Sequence, residues 1–286
     1  MSADDRHAET ITRVFDDAAA EFDTSGLDFF TPLGKRLADL AGSGPGDRVL
    51  DVGCGMGSSL IPAAERVGPT GFVTGIDLAP EMARRLAAIL LDRKVTNVRV
   101  LEMDGERPDF PDNSFEIIQA GFSVMHFSSA PASLSRYPRL LGRGGRFCYS
   151  ELVDEDGLPD LVPREAFAEL EPFFPTELPN PRERGLTPWN RSAESIRGAL
   201  LTQGFARVNL TEETSEVDVG SGRRWNAWTM STGLRQAWAN VPTAELDAVQ
   251  ARTAALIEQK RDVRGRLLLP VRVRYVACET GEGLRG

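Results

Sequence analysis

Residues 49–59, VLDVGCGMGSS, take an apolar run directly into a glycine-rich turn. The run predicts a buried strand, and glycines at positions 53, 55 and 57 allow a backbone that a ligand can approach closely. A dinucleotide-binding fingerprint would need a glycine at Ser58, and a phosphate-binding loop would need a Gly-Lys-Ser/Thr ending, which is missing. The turn therefore predicts a ligand site of another kind.

Short apolar runs alternate with segments of helical periodicity around this turn. Strands are predicted at residues 48–52, 72–76, 98–102, 115–119, 145–150, 206–210 and 267–277. Helices are predicted at residues 8–22, 33–41, 58–67, 81–94, 130–141, 193–203, 225–238 and 243–260. This alternation predicts an α/β fold, in which helices cover both faces of a doubly wound, mostly parallel sheet of about seven strands.

The composition limits the possible partners. Acidic residues outnumber basic ones by 42 to 33, giving a net charge of −9. Nucleic-acid affinity depends largely on Lys and Arg, so no nucleic-acid partner is expected. The acidic start MSADDRHAET predicts no signal peptide, and no apolar run approaches the ~18 residues needed to span a bilayer. The three cysteines have no metal-ligand spacing. We expect a cytoplasmic protein that binds neither a membrane nor a metal ion.

Four further stretches follow the glycine turn in order. They are GIDLAPEM at 75–82, LEMDGE at 101–106, SFEIIQAGFSVMHF at 114–127 and LLGRGGRFCYSEL at 140–152. Together with VLDVGCGMG, they resemble the motifs of class I S-adenosylmethionine-dependent methyltransferases of actinomycete type. The resemblance implies a Rossmann-like sheet with an antiparallel last strand. It also implies S-adenosyl-L-methionine as cofactor and S-adenosyl-L-homocysteine as product.

The resemblance and the helical pattern together predict four segments. Residues 1–43 form an N-terminal helical lid, and residues 44–152 form the cofactor-binding core. Residues 153–192 are a lid or substrate-recognition insertion, because this segment is long and rich in proline, acidic and aromatic residues. Residues 193–286 complete the sheet and carry a helical insertion at about 221–264.

The resemblance assigns cofactor roles to three acidic residues. Asp51 stands near the methionine amino group, Asp77 accepts hydrogen bonds from the ribose hydroxyls, and Asp104 accepts from the adenine amino group. For Asp77 the alternative is a helix N-cap, and for Asp104 it is a solvated turn. The other residues expected to contact the cofactor are Phe22, Phe30, Gly53, Gly55, Gly57, Leu78, Met82, Gly105 and Ala120. For the two phenylalanines the alternative is plain helix packing.

Two residues are candidates for catalysis. His126 follows the fourth strand, where the acceptor approaches the methyl group in this fold, and an imidazole with its ordinary pKa near 6.5 suits a general base. Glu151 follows the fifth strand and faces the same expected pocket. The alternatives are a packed or loop histidine and a charged residue at the rim. A base is needed only where the acceptor carries a proton that it does not readily lose, as a hydroxyl does.

The predicted function is transfer of the methyl group of S-adenosylmethionine to an oxygen, nitrogen or carbon of a small molecule in secondary metabolism. One departure from the family pattern is the sequence QAG at 119–121, where many relatives carry a polar catalytic or amine-contacting residue. The alternative is a methyltransferase-like cyclase, or another non-methylating protein that retains the cofactor. The protein is expected to be a monomer or a homodimer.

Overall fold

A seven-stranded sheet forms the centre of the computed structural model, which describes residues 3–22, 26–153, 160–175 and 189–281. The strands are β1 (Arg48–Val52), β2 (Phe72–Asp77), β3 (Val98–Glu102), β4 (Phe115–Gly121), β5 (Leu141–Leu152), β6 (Arg207–Asp218) and β7 (Leu268–Glu279). Their order is β3-β2-β1-β4-β5-β7-β6. Only β7 is antiparallel to its neighbours in this sheet. The predicted sheet, including its antiparallel last strand, is confirmed.

Helices cover both faces of the sheet. They are α1 (Ala3–Ala18), α2 (Phe30–Ala41), α3 (Leu60–Val67), α4 (Pro80–Asp92), α5 (Tyr137–Leu140), α6 (Arg164–Ala168), α7 (Ala193–Thr202), α8 (Gly222–Met230), α9 (Arg235–Asn240) and α10 (Leu246–Glu258). None of these helices is long and apolar enough to cross a membrane.

Two large hydrophobic clusters lie on opposite faces of the sheet. Val49 belongs to the first, with Leu37 of α2 and Leu86 of α4, and Leu50 belongs to the second, with Leu200 of α7. Because neighbouring strand residues point to opposite faces, β1 contributes to both clusters. From β1 the chain passes outward through β2 and β3 and then returns to β4, so the strand order reverses between β1 and β4. Ligands of doubly wound folds bind at this switch point, beyond the carboxyl ends of the strands.

The N-terminal helices differ from their predicted bounds. The first helix was predicted at residues 8–22 but spans Ala3–Ala18, and the second begins at Phe30 rather than at residue 33. The apolar residues after Ala18 continue the pattern without continuing the helix, since Ala19 and Phe22 pack against α4 in a small separate cluster.

Proline and glycine interrupt two predicted helices. The segment 130–141 forms a 3₁₀-helix, Ala132–Arg136, followed by the single turn α5, in which Pro138 is among the first residues. Proline lacks the N–H that a helix interior requires, so the predicted continuous helix does not form. The predicted helix at 225–238 is divided into α8 and α9 by the turn that contains Gly233.

Strand β6 is longer than predicted. It was predicted to end at residue 210 but continues to Asp218, and it pairs with β7 from Arg207↔Glu279 to Asp218↔Leu268. Most of its second half is exposed. An edge strand facing solvent needs no alternation of apolar and polar residues, so hydrophobic periodicity does not reveal its full length.

Candidate active site

The glycine turn after β1 serves both packing and ligand approach. Gly53, Gly55 and Gly57 have φ of +66°, +48° and +88°, a region that other residues rarely adopt. A Cβ at Gly53 would lie 2.4 Å from Ser123 Cβ, and one at Gly57 would lie 2.8 Å from Leu86 Cδ1. A Cβ at Gly55 would have no neighbour within 4 Å. Gly53 and Gly57 therefore allow close packing, whereas Gly55 borders open space.

That open space belongs to a cavity of about 410 Å³ beyond the ends of β1, β2 and β4. Its volume lies within the range of roughly 300–1,000 Å³ usual for small-molecule sites. The predicted site residues on its wall are Phe22, Phe30, Gly53, Gly55, Asp77, Leu78, Met82, Asp104, Gly105, His126 and Glu151. Asp51, Gly57 and Ala120 lie outside the lining. Asp51 and Ala120 are fully buried in the sheet.

Asp77 connects the glycine turn to α4. Its Oδ2 accepts a hydrogen bond from the Gly55 N–H at 2.8 Å, and its Oδ1 accepts from the Ala79 N–H at 3.0 Å. Burial raises the pKa of Asp77, and these two backbone hydrogen bonds lower it in part. The carboxylate therefore stabilises the turn between β2 and α4 and also lines the cavity, but Asp77 is not the N-cap of α4, because that residue is Ala79.

Asp104 and Gly105 form the wall that continues from β3. Asp104 Oδ1 accepts a hydrogen bond from the Glu106 N–H at 2.8 Å. This bond closes a tight turn, as the alternative interpretation of Asp104 predicts. Asp104 also lines the cavity. A Cβ at Gly105 would lie 2.6 Å from Val52 Cγ1. The backbone at Gly105 therefore lies against β1, and a larger residue would not fit there.

Asp51 lies beneath the cavity and is fully buried. Its Oδ2 accepts from Ser59 Oγ at 2.8 Å and from Gln119 Nε2 at 2.5 Å. Burial raises the pKa of Asp51 to about 7, against the lowering effect of these two hydrogen bonds, and the Asp77 charge raises it further. Asp51 Oδ1 and Gln119 Oε1 are buried without a hydrogen-bond partner.

Aromatic side chains line the opposite part of the cavity. Phe29 packs edge-on against Trp228, with ring centroids 5.3 Å apart, and Phe30 stacks on Phe22 at 5.0 Å. Phe122, at the end of β4, has φ of +55°. A positive φ is a genuine outlier for a bulky residue, and such strain is concentrated at functional sites. Phe122 packs against both Phe29 and Phe30.

His126 lies on the cavity wall in the 3₁₀-helix Val124–His126. Its ring packs edge-on against Phe15 of α1, with centroids 5.1 Å apart. His7 of the same helix donates from Nε2 to the His126 carbonyl oxygen at 2.8 Å. Helix α1 thus contacts both the ring and the backbone of this residue, and it closes one side of the cavity.

Glu151 reaches the cavity from the end of β5 and is only 3% exposed. Its carboxylate accepts from Arg274 Nη1 at 2.7 Å. Arg274 also pairs with Glu212 at 2.8 Å and donates to the Asn190 carbonyl oxygen at 3.3 Å. Glu151 is therefore a buried, ion-paired carboxylate, and the alternative of an exposed charge at the rim is wrong.

Sequence reasoning missed several residues of this wall. Phe122 lines its aromatic part, and His7 and Phe15 hold His126 from α1. In the sequence, QAG at 119–121 stands out only as a departure from the family pattern, and the contact between Gln119 and Asp51 was not predicted. The signal available in the sequence was the position of Gln119 near the end of a strand neighbouring β1.

A doubly wound sheet with a glycine turn after β1 and acidic residues after β2 and β3 defines an enzyme that binds a nucleoside-containing cofactor. Residues 49–145 match the family described as "Methyltransferase domain". Aklanonic acid methyltransferase DauC of Streptomyces sp. strain C5 is 35% identical over 72% of this chain and 96% of its own. Nocamycin O-methyltransferase of Saccharothrix syringae is 37% identical over 87% of this chain and 89% of its own.

Among solved structures, the YcgJ protein from Bacillus subtilis has the same fold. Its TM-score is 0.58 at 17% sequence identity, over 88% of this chain and 99% of that chain. The sequence relatives are similar enough over nearly their whole length to show the family. The chain belongs to the class I S-adenosylmethionine-dependent methyltransferases.

The cavity fits this cofactor. S-adenosylmethionine carries a sulfonium and an ammonium, and the cavity wall presents four carboxylates, from Asp77, Asp104, Glu106 and Glu151. In the described ranges, no lysine or arginine lines the cavity. The buried acceptor atoms Asp51 Oδ1 and Gln119 Oε1 lack a donor, and an ammonium group is a donor of the right charge.

Asp51→Asn is expected to stabilise the cofactor-free protein at alkaline pH. The pKa of Asp51 is about 7 in the fold, against an ordinary value of 3.8, so the folded state holds this proton more tightly than the unfolded chain does. The stability contributed by this proton is complete below about pH 4 and is lost as the pH rises through about 7. At about pH 8 the variant should gain up to about 4 kcal/mol in urea unfolding. The gain should shrink toward about pH 4, and the exposed Glu102→Gln should show no such trend. A variant no more stable than the parent at about pH 8 would contradict this.

Proposed function

We propose that the protein methylates an oxygen atom of a small, planar and largely apolar acceptor. The carrying observation is that one cavity is lined both by carboxylates near the glycine turn and by an aromatic cluster that includes Phe29, Phe122 and Trp228. The name of the relative from Saccharothrix syringae, nocamycin O-methyltransferase, supports an oxygen acceptor.

In this proposal the cofactor lies along the ends of β1, β2 and β3. The ribose hydroxyls donate to Asp77, the adenine amino group donates to Asp104, and the adenine edge meets the Gly105 backbone. Leu78 and Met82 contact the nucleoside from the start of α4. The methionine part passes over Gly53 and Gly55, and the missing side chain of Gly55 leaves room for it. Phe22 and Phe30, stacked on each other, cover the cofactor.

The acceptor occupies the aromatic part of the cavity. Flat aromatic walls favour a planar acceptor, because offset and edge-on ring contacts contribute ~0.5–1.5 kcal/mol beyond their buried area. The absence of lysine and arginine from the described lining gives an anionic acceptor no ion-pair partner. Both features support a planar, neutral acceptor.

When bound, S-adenosylmethionine supplies a methyl group already activated by the positive sulfur. The residues of the chain then have to align the acceptor oxygen with that group and exclude water. Alignment alone is worth effective molarities of roughly 10⁵–10⁸ M in well-oriented systems. Phe29, Phe122 and Trp228 orient the acceptor, and α1 closes the side facing solvent.

A hydroxyl acceptor has to lose its proton, and we assign this step to His126. The imidazole lies on the wall and is held in place by Phe15. Glu151 is the weaker candidate, because its carboxylate is already held by Arg274 at 2.7 Å. We propose that Glu151 instead orients the acceptor through a hydrogen bond.

The proposal is tested with methyl-labelled S-adenosylmethionine and hydroxylated polycyclic aromatics such as hydroxyanthraquinones. We expect S-adenosylhomocysteine and a labelled methyl ether to form in equal amounts. Matched acceptors with the hydroxyl already methylated should give neither product. Acceptor turnover without S-adenosylhomocysteine would favour the cyclase alternative, and a label found on carbon or nitrogen would contradict the oxygen assignment.

A further inference from the structure

Asp51 and Gln119 face each other across two neighbouring strands. They are direct register partners between β1 and β4, so their side chains lie on the same face of the sheet. Both residues are fully buried. The 2.5 Å hydrogen bond from Gln119 Nε2 to Asp51 Oδ2 joins them, and Ser59 donates to the same oxygen.

This buried group has more acceptors than donors. Both hydrogen bonds to Asp51 fall on Oδ2, while Asp51 Oδ1 and Gln119 Oε1 have no partner. A buried acceptor without a donor is destabilising, so two such acceptors on hydrogen-bonded side chains indicate a missing donor. Because the Gln119 amide donates to Asp51, its carbonyl oxygen remains available beside the carboxyl group.

The charges around Asp51 do not compensate its own. From β2, the Asp77 carboxylate repels it. From the glycine turn, Cys54 contributes a neutral thiol, since burial raises the pKa of Cys54 well above its usual value. Ser59 and Gln119 are the neighbours from α3 and β4, and neither carries a charge. No cation among the described residues hydrogen-bonds to Asp51 or forms an ion pair with it.

A buried carboxylate without a cation is costly, and proteins commonly avoid this cost by leaving the group protonated. A bound ligand with an ammonium group reverses the balance, because it supplies both the countercharge and the missing donors. The methionine end of S-adenosylmethionine carries such a group. A contact between this ammonium group and Asp51 rests on the cofactor placement given under the proposed function.

We propose that Gln119 is a positioning residue that couples cofactor binding to the release of one proton from Asp51. In the free protein, Asp51 is a neutral carboxylic acid below about pH 7. When the cofactor binds, the O–H bond of Asp51 breaks and its proton goes to solvent. The ammonium keeps its own three protons and donates to Asp51 Oδ1 and Gln119 Oε1.

Gln119 contributes twice to this coupling. Its N–H stabilises the ionised form of Asp51, which offsets part of the cost of burial. Its carbonyl oxygen, on the same amide, supplies the second acceptor for the ammonium. A residue without the amide would lose both contributions, so Asp51 would hold its proton to higher pH.

The test is calorimetry of S-adenosylhomocysteine binding to the full chain in two buffers of different ionisation enthalpy. At about pH 6, close to one proton should be released per bound ligand, and at about pH 8 close to none. The matched ligand is 5′-methylthioadenosine, which lacks the amino-acid part and should release none at either pH. Binding of S-adenosylhomocysteine without proton release at about pH 6 would overturn the coupling, as would equal release with both ligands. Failure of both ligands to bind would instead refute the proposed cofactor site.

The role of Gln119 is tested with Gln119→Met, a neutral residue of similar length. At about pH 7 its affinity for S-adenosylhomocysteine should fall about tenfold or more. Raising the pH to about 8.5 should restore the part of the affinity that is lost to the Asp51 proton, while the part lost with the Gln119 carbonyl oxygen should remain lost. A purely structural role would weaken binding equally at every pH, and that result would overturn the assignment. If this variant does not fold, the same pH series with Gln119→Glu decides. The added carboxyl should shift proton release to still higher pH, and an unshifted profile would contradict the role.

Discussion

Asp77→Ala is expected to weaken S-adenosylhomocysteine binding by at least about 100-fold. The proposed role gives Asp77 two hydrogen bonds from ribose hydroxyls, each worth roughly 1.5–3 kcal/mol because the acceptor is charged. Together they correspond to about 10²–10⁴ in affinity. Calorimetry with S-adenosylhomocysteine measures this loss directly.

The variant needs two comparisons, because Asp77 also accepts from the N–H groups of Gly55 and Ala79. Asp77→Asn keeps one acceptor oxygen at the same place and should lose less affinity than the alanine variant. Glu102→Ala is the matched control, since Glu102 ends β3, pairs with Asp77 in register and is exposed. Unchanged affinity in a folded Asp77→Ala protein would end the ribose assignment.

His126→Ala is expected to lower kcat for a hydroxyl acceptor by about 100-fold or more, the usual contribution of a general base. The affinity for S-adenosylhomocysteine should change little, because the proposed cofactor contacts lie at Asp51, Asp77 and Asp104. The parent rate should fall on the acid side as the imidazole takes up a proton, and the variant should lack this fall. Steady-state rates across a pH series measure both effects.

Packing is the alternative role of His126, and α1 provides the control. His7→Ala removes the hydrogen bond to the His126 carbonyl oxygen but leaves the His126 ring in the cavity. The rate of the His7→Ala variant should still fall at low pH, whereas the rate of His126→Ala should not. If His126→Ala turned over an authentic hydroxyl acceptor at nearly the parent rate, alignment would remain as the main catalytic device.

The central sheet was predictable because local signals and tertiary structure agree there. Strands β1 and β3 have their predicted bounds, since each is a short, largely apolar run between turn residues. Only β1 of the two is buried. The acidic residues at the ends of β2 and β3 lie near each other, as predicted, because the carboxyl ends of parallel strands meet at one edge of the sheet. Periodicity could not reveal the exposed half of β6, and it could not show that Pro138 reduces a predicted helix to one turn.

The site residues were predictable only where a single motif fixes a residue at the end of a strand. Asp77 and Gly55 lie together on the cavity wall, as their motifs predict. The pairing of Glu151 with Arg274 joins residues 123 positions apart and depends on the register of β5 with β7. The contact between Asp51 and Gln119 likewise depends on the register of β1 with β4. No single stretch of sequence contains either contact.

A crystal structure of the protein with S-adenosylhomocysteine tests the account most directly. The account predicts both ribose hydroxyls within hydrogen-bond distance of the Asp77 carboxylate and the adenine amino group beside Asp104. It further predicts the methionine ammonium against Asp51 and Gln119, with the sulfur facing His126 and the aromatic part of the cavity. Density for the ligand in the opposite direction, or outside this cavity, would contradict it.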